Sequence, residues 1–145
     1  MPTIKVHLHF VWTTKNRNPL LSKQSIRDQL WQHIRENAKN KNIHILEVGG
    51  HCDHCHCLIS LNKDQTISKI GQLLKGESSF WINRSGLITD YFEWQDEYYV
   101  ESTSIDSIPS VINYIQLQEE HHRKYTFEEE VEKFFIEYYK ELRAK

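Results

Sequence analysis

Apolar residues at every second position predict that the chain begins with a strand. Residues 3–14 are rich in β-branched and aromatic side chains, and one face of this stretch is apolar: Ile4, Val6, Leu8 and Phe10. Similar short stretches predict strands over 43–48, 54–61 and 98–104, and Gly49-Gly50 is expected to end the first of these three. Four strands of this length are enough to form one sheet.

A second periodicity, with apolar residues three or four positions apart, predicts helices between and after the strands. Ser22 can cap a helix over 23–41, and the apolar stripe of that helix is Ile26, Leu30, Ile34 and Ala38. Further helices are predicted over 66–84, 107–123 and 127–143. The order β-α-β-β-α-β, followed by helices, predicts an α+β, ferredoxin-like fold in which two helices cross one face of an antiparallel four-stranded sheet.

Length and composition indicate a single folded domain over residues 1–145. With 145 residues, 39% of them hydrophobic, the chain can bury one core but not two. The net charge of −2 argues against a protein that coats duplex DNA, although it leaves room for a local basic groove. Because the chain has no run of about 18 apolar residues, we expect no membrane span and a cytoplasmic location.

The densest chemistry lies in residues 51–60, which hold three histidines and all the cysteines. Because side chains alternate along a strand, His54 and His56 should share one face, about 7 Å apart at the backbone, and can converge on one cation. Cys55 and Cys57 should point the other way as small apolar side chains. The histidine pair therefore predicts an open metal site. Two other interpretations stay open: a structural zinc module, which would usually need a second ligand pair, and packed histidines that bind nothing.

The helix predicted over 107–123 carries a second group of functional side chains. Tyr114, Gln118 and His121 are spaced four and three residues apart and therefore share one helical face. A buried tyrosine is usually a core residue with a hydrogen-bonded hydroxyl, but polar partners on the same stripe favour a chemical role. A phenol can attack a phosphodiester when a metal polarises the phosphate. The amide oxygen of Gln118 beside two imidazoles would form a mixed ligand set that suits Mg²⁺ or Mn²⁺.

The two groups occur in an order that resembles a known family. His54-Cys55-His56 on a strand and Tyr-Ile-x-x-Gln-x-x-His-His at 114–122 resemble the single-tyrosine HUH transposases of bacterial insertion sequences and the REP-associated tyrosine transposases. Further matching segments extend the resemblance over nearly the whole chain: Val11-Trp12-Thr13-Thr14-Lys15, Leu58-Ile59-Ser60, Leu74-Lys75-Gly76 and Trp94-Gln95.

The resemblance implies an activity and a role for each motif residue. The implied activity is cleavage and rejoining of single-stranded DNA at hairpin-marked element ends, through a 5′-phosphotyrosine, at the nucleoid of a bacterial cell. By motif, Tyr114 is the nucleophile, His54 and His56 bind the metal, Gln118 is the third ligand, and His121 is an accessory residue. The resemblance also implies a homodimer, in which such enzymes commonly present the tyrosine helix to the histidine pair of the partner subunit.

Two positions depart from the family pattern. Cys55 stands where valine or leucine is usual, and it introduces an oxidisable thiol. After Trp94-Gln95, a glycine-containing turn is replaced by Glu97-Tyr98-Tyr99 and then by the acidic Glu101, which removes glycine's backbone freedom. The alternative function is therefore a catalytically inactive or domesticated relative that binds single-stranded or hairpin DNA.

Basic and aromatic side chains supply candidates for contacts with DNA. The basic candidates, which could neutralise phosphates, are Lys15, Arg17, Lys69, Lys75 and Arg84. Trp12, Trp81 and Trp94 could stack on unpaired bases, but packing in the core is the favoured interpretation for them.

The substitution Cys57→Ser tests the assignment of the strand faces. Because it buries a hydroxyl group, it should lower the free energy of unfolding by about 1–3 kcal/mol and leave metal affinity unchanged. Urea unfolding and a metal titration of the folded variant measure the two quantities. A large fall in metal affinity would mean that the two faces are assigned backwards.

Overall fold

The structure, a computed structural model, describes residues 2–118 and Glu129. Its strands are β1 (Val6–Thr13), β2 (His44–His51), β3 (His54–Leu61) and β4 (Tyr99–Thr103), and its helices are α1 (Gln24–Asn40), α2 (Ile67–Ser85) and α3 (Ile108–Gln116). This order confirms the predicted succession of strands and helices. The helix predicted over 127–143, and the end of the helix predicted over 107–123, fall outside the described residues.

The four strands form one antiparallel sheet in the order β2-β3-β1-β4. β1 therefore lies between β3 and β4, so that Thr13 is paired with His54 on one side and His9 with Glu101 on the other. This arrangement confirms the predicted α+β fold. Within the described residues, no helix is long and apolar enough to cross a membrane.

The two long helices cover one face of the sheet. Side chains at alternate positions of β1 and β3 pack against the apolar stripes of α1 and α2: Leu8, Phe10, Trp12, Cys55, Cys57, Ile59, Leu30, Ile34, Ile70 and Leu74. Trp12 and Trp94 belong to this core, with their rings 5.9 Å apart, and Trp94 Nε1 donates a hydrogen bond to Ser78. The favoured interpretation of these two tryptophans is thus confirmed. Trp81 also packs against this core, but it is partly buried and stacks on His33.

The glycine pair at 49–50 has a different role from the predicted one. β2 continues through both glycines to His51, and α3 packs against this strand. A Cβ atom added to Gly49 would lie only 3.0 Å from both the Cγ2 and the carbonyl oxygen of Ile115. A Cβ on Gly50 would lie 2.1 Å from the carbonyl oxygen of His54. The glycines therefore permit close contact and do not end the strand.

A buried carboxylate also fixes α3 to the edge of the sheet. Glu47 of β2 is 8% exposed, and it accepts hydrogen bonds from its neighbour Val48 N (3.1 Å) and from Gln116 Nε2 of α3 (2.9 Å). Arg35 of α1 completes the arrangement with an ion pair to the same carboxylate. Because a buried carboxylate is costly without partners, Glu47 links the tyrosine-bearing helix to the rest of the fold.

The substitution Gly49→Ala tests the close seating of α3. The added methyl group must displace Ile115, so we expect a loss of about 1–3 kcal/mol in the free energy of unfolding. Gly76→Ala is the matched control, since nothing lies within 4 Å of a Cβ at that exposed helical position. It should raise the free energy of unfolding by about 0.5–1 kcal/mol. Urea denaturation measures both, and equal stability of the two variants would contradict the described contact.

Candidate active site and metal centre

Two buried imidazoles form the centre of the site. His54 and His56 project from β3 on the face opposite the core of α1 and α2, and they are 0% and 1% exposed. Their ring centroids are 5.1 Å apart and the rings are nearly perpendicular. The separation of histidines from cysteines thus follows from the two-residue period of the strand.

An amide oxygen lies directly against one of these imidazoles. Gln118 follows α3 and is 1% exposed, and its Oε1 is 3.0 Å from His54 Nε2. Its amide nitrogen donates to the carbonyl oxygen of Tyr114 at 3.3 Å, which leaves Oε1 directed at the histidine. Two ligands that each lie about 2.1 Å from a cation, at a right angle, are about 3.0 Å apart. The donor pair therefore fits adjacent positions of an octahedral metal ion.

The Nδ1 atom of His54, the ring nitrogen that does not contact Gln118, lies against a carboxylate. His54 Nδ1 is 2.8 Å from Asp53 Oδ1, and the other oxygen of Asp53 is 3.5 Å from Arg17 Nη2. Metal-binding histidines are commonly oriented by a carboxylate on the nitrogen that faces away from the ion. Across residues 2–118 no group of three or more His, Cys, Asp or Glu side chains is placed to hold a metal. Within these residues, the amide of Gln118 is the oxygen donor that lies against His54.

Tyr114 lies on the same face as the two histidines. Its ring centroid is 5.4 Å from that of His56, edge to face, and 6.5 Å from that of His9. Its hydroxyl is buried. The phenol, the two imidazoles and the amide thus meet within a single chain. His121, the predicted accessory residue, lies outside the described part of the structure.

Two of the three cysteines lie on the face of β3 that is turned away from this site. Cys55 and Cys57 are fully buried among the core side chains on the other face of β3. Burial raises the pKa of both thiols well above its ordinary value, and for Cys57 the nearby Arg35 only partly offsets this. Because these two thiols point into the core, away from His54 and His56, the described geometry disfavours a structural zinc module.

The five basic candidates divide between the two faces of the sheet. Lys15 and Arg17 follow β1 at the end where His54 lies, and Lys15 Nζ is 3.4 Å from Glu93. Lys69, Lys75 and Arg84 lie on α2, across the sheet from Tyr114. Burial lowers the pKa of Lys75, whose ammonium donates to the carbonyl oxygens of Asp96 and Glu97. The structure therefore brings only Lys15 and Arg17 near the candidate chemistry.

Two further side chains beside the site are not among the candidates from the sequence. His9 is fully buried, and its Nε2 lies 2.9 Å from Nδ1 of His56. Glu101 pairs across from His9, and it accepts a hydrogen bond from the Tyr99 hydroxyl at 2.8 Å. Burial raises the pKa of Glu101, but hydrogen bonds from His9 and Tyr99 outweigh it, so that the pKa lies below its usual value. The one signal for His9 in the sequence is its position on the polar face of the first strand. Its contact with His56 could not be predicted, because no local pattern shows which strands become neighbours.

One family profile matches most of the chain, and two solved structures share its fold. The profile of the family described as "Transposase IS200 like" matches residues 3–118. A solved structure of a candidate transposase from Deinococcus radiodurans R1 is similar, with 21% identity, coverage of 81% of this chain and 93% of that one, and a TM-score of 0.64.

A REP-associated tyrosine transposase bound to a REP hairpin is also similar, with 17% identity, coverage of 84% and 72% of the two chains, and a TM-score of 0.61. At these identities the structural likeness shows the fold alone. A search of curated proteins found no match. Because the family profile covers most of the chain, this protein belongs to the IS200-like transposase family.

Proposed function

We propose that this protein is a transposase that cleaves and rejoins single-stranded DNA through a 5′-phosphotyrosine on Tyr114. The observation that carries the proposal is that four polar side chains lie together on one face of the sheet: Tyr114, His54, His56 and Gln118. Tyr114 lies 5.4 Å from His56 between ring centroids, and Gln118 lies 3.0 Å from His54. A purely structural core would rarely place a phenol, two imidazoles and an amide together without apolar partners between them.

The bond changes follow from the position of the phenol. The Tyr114 oxygen attacks the phosphorus of a DNA phosphodiester as its proton leaves to a base or to water, and the bond from phosphorus to the 3′ oxygen breaks. The departing 3′ oxygen takes up a proton and becomes a free hydroxyl group. The 5′ phosphate stays on Tyr114 as an ester. Because the ester keeps the energy of the broken bond, a 3′ hydroxyl can reverse the reaction and join the strands without ATP.

His54, His56 and Gln118 would hold a divalent cation, Mg²⁺ or Mn²⁺, which when bound supplies Lewis-acid polarisation of a phosphate oxygen. The mixture of two imidazole nitrogens and one amide oxygen suits these ions, and water and phosphate oxygens would fill the remaining positions. The protein's own contribution is to hold the three donors in place, since Asp53 orients His54 and the peptide of Tyr114 orients Gln118.

The proposed substrate is single-stranded DNA next to a hairpin. Support comes from the similar transposase whose structure contains a REP hairpin, together with Lys15 and Arg17 at the end of β1 near His54. Arg17 lies beside Asp53, and Asp53 contacts His54. Arg17 would therefore bind a phosphate close to the proposed metal. Lys69, Lys75 and Arg84 would contact DNA only if it reached the other side of the sheet. We place this reaction at the nucleoid, in the cytoplasm.

We further propose a homodimer in which each Tyr114 acts at the histidines of its own subunit. The homodimer is implied by the family resemblance alone. The contacts of α3 support action within one subunit, because Ile115 packs on Gly49 and Gln116 binds Glu47 of the same chain. Both contacts are made by the two residues directly after Tyr114, so they restrict the movement of the phenol relative to the histidines of the same chain.

The substitution Tyr114→Phe tests the proposed nucleophile. The assay uses a hairpin oligonucleotide with a single-stranded flank, labelled at its 3′ end, in the presence of Mn²⁺. The labelled fragment should become covalently attached to the wild-type protein, and Tyr114→Phe should lower this yield at least about a thousand-fold, because the nucleophile is lost. Tyr91→Phe is the control, since Tyr91 is 74% exposed and lies outside the site. It should behave as wild type.

Other outcomes identify the alternatives. Hairpin binding with no adduct from the wild-type protein would indicate a catalytically inactive relative. An adduct that persists in Tyr114→Phe would place the nucleophile elsewhere. Stoichiometric zinc whose removal unfolds the chain would indicate a structural metal module.

A further inference from the structure

The proposed chemistry makes no use of His9, although this imidazole is fully buried beside the site. His9 projects from β1 on the same sheet face as His56, and its Nε2 is 2.9 Å from His56 Nδ1. The two ring centroids are 5.1 Å apart and the planes are tilted by 32°. The contact is thus an edge-to-edge hydrogen bond through ring nitrogens. Burial of an imidazole costs free energy unless both nitrogens are satisfied.

The second nitrogen of His9 faces a carboxylate. His9 Nδ1 is 3.8 Å from Glu101 Oε1, across the pairing of β1 with β4. Glu101 is itself fixed by the Tyr99 hydroxyl on its other oxygen. Its carboxyl group keeps a pKa below the usual value despite burial, so it is charged at neutral pH. A row therefore runs from Tyr99 through Glu101 and His9 to His56.

This row determines which nitrogen of His56 is available for a cation. A charged carboxylate accepts hydrogen bonds only, so it favours the form of His9 that carries its proton on Nδ1. His9 Nε2 is then an acceptor, and it takes the hydrogen bond from Nδ1–H of His56. His56 must consequently keep its lone pair on Nε2, the nitrogen on the side of the proposed metal. Asp53 imposes the same choice on His54 directly.

We propose that His9 and Glu101 are positioning residues that orient His56 for the metal, in parallel with Asp53 for His54. This inference rests on the proposed metal site. We assign His9 as a partner of His56 and not as a ligand, because its Nε2 is engaged with His56 Nδ1. It also gives Glu101 a function, although this residue stands out in the sequence only as a departure from the family pattern.

The test measures Mn²⁺ affinity in the absence of DNA, from the signal of free Mn²⁺ in electron paramagnetic resonance. His9→Leu fills the place of the imidazole with an apolar side chain, which offers His56 no hydrogen-bond acceptor. Glu101→Gln removes the negative charge that selects the tautomer of His9. Each should weaken Mn²⁺ binding by about 10- to 100-fold, the usual effect of losing such a partner. His9→Gln should recover much of the affinity, because an amide oxygen can accept the hydrogen bond from His56.

Glu97→Gln is the matched control, since it removes the same charge from an exposed side chain four residues away. It should leave Mn²⁺ affinity unchanged. A second readout separates positioning from folding: in DNA cleavage, the Mn²⁺ concentration for half-maximal rate should rise in Glu101→Gln while the rate at saturating Mn²⁺ stays near that of wild type. A general loss of structure would lower the saturating rate as well.

The outcomes separate this inference from the proposed function. If the wild-type protein binds Mn²⁺ and His56→Ala does not, but Glu101→Gln, His9→Leu and His9→Gln all bind like wild type, the positioning role is overturned and the metal site stands. If the wild-type protein itself fails to bind Mn²⁺, the metal assignment falls, and the inference falls with it. Should His9→Leu not fold, Glu101→Gln decides the question alone.

Discussion

The alternation of side chains along β3 is the constraint on which the rest of the molecule depends. One face of this strand supplies Cys55 and Cys57 to the core, and the other supplies His54 and His56 to the site. The same eight residues therefore stabilise the fold and carry the candidate chemistry. A shift of one residue in the pairing with β1 would exchange the two sets and lose both functions at once. The central position of β3, between β2 and β1, protects that register.

The second requirement is a helix that can approach the sheet closely enough to place a phenol beside the imidazoles. Gly49 supplies the space under Ile115, and Glu47 supplies a buried acceptor for Gln116. The two contacts act on residues directly after Tyr114, so small movements of α3 would move the phenol relative to His56. The packing of α3 on the sheet and the position of the phenol thus depend on three consecutive residues of this helix, Tyr114, Ile115 and Gln116. Transfer of a phosphoryl group depends strongly on such positioning.

The fold could be predicted from the sequence because its signals are local. Alternation in β1 and β3, and the four-residue period in α1, each lie within a single element. The same alternation predicts that His54 and His56 lie on one face of β3. The role of Gly49 could not be found this way, because a glycine that ends a strand and one that admits a helix look alike until the helix is in place.

His9 and Glu101 were missed for a related reason. His9 lies on β1 and Glu101 lies on β4. The two residues form a row with His56 of β3 only when β1 pairs with both β3 and β4. In the sequence, His9 is one polar residue among several on an alternating strand, and Glu101 is an acidic residue after a turn. The row from Glu101 through His9 to His56 spans three strands, and no local pattern encodes that. Residues that orient a site from another strand are therefore the hardest to predict.

The most direct test of the central claim is a crystal structure of the protein grown with Mn²⁺, with the ion located by its anomalous scattering. We expect one peak per chain, at about 2 Å from His54 Nε2, His56 Nε2 and Gln118 Oε1 of the same chain, with the Tyr114 hydroxyl facing it. A peak at the cysteines, or a Tyr114 that faces away from the ion in its own chain, would contradict the account.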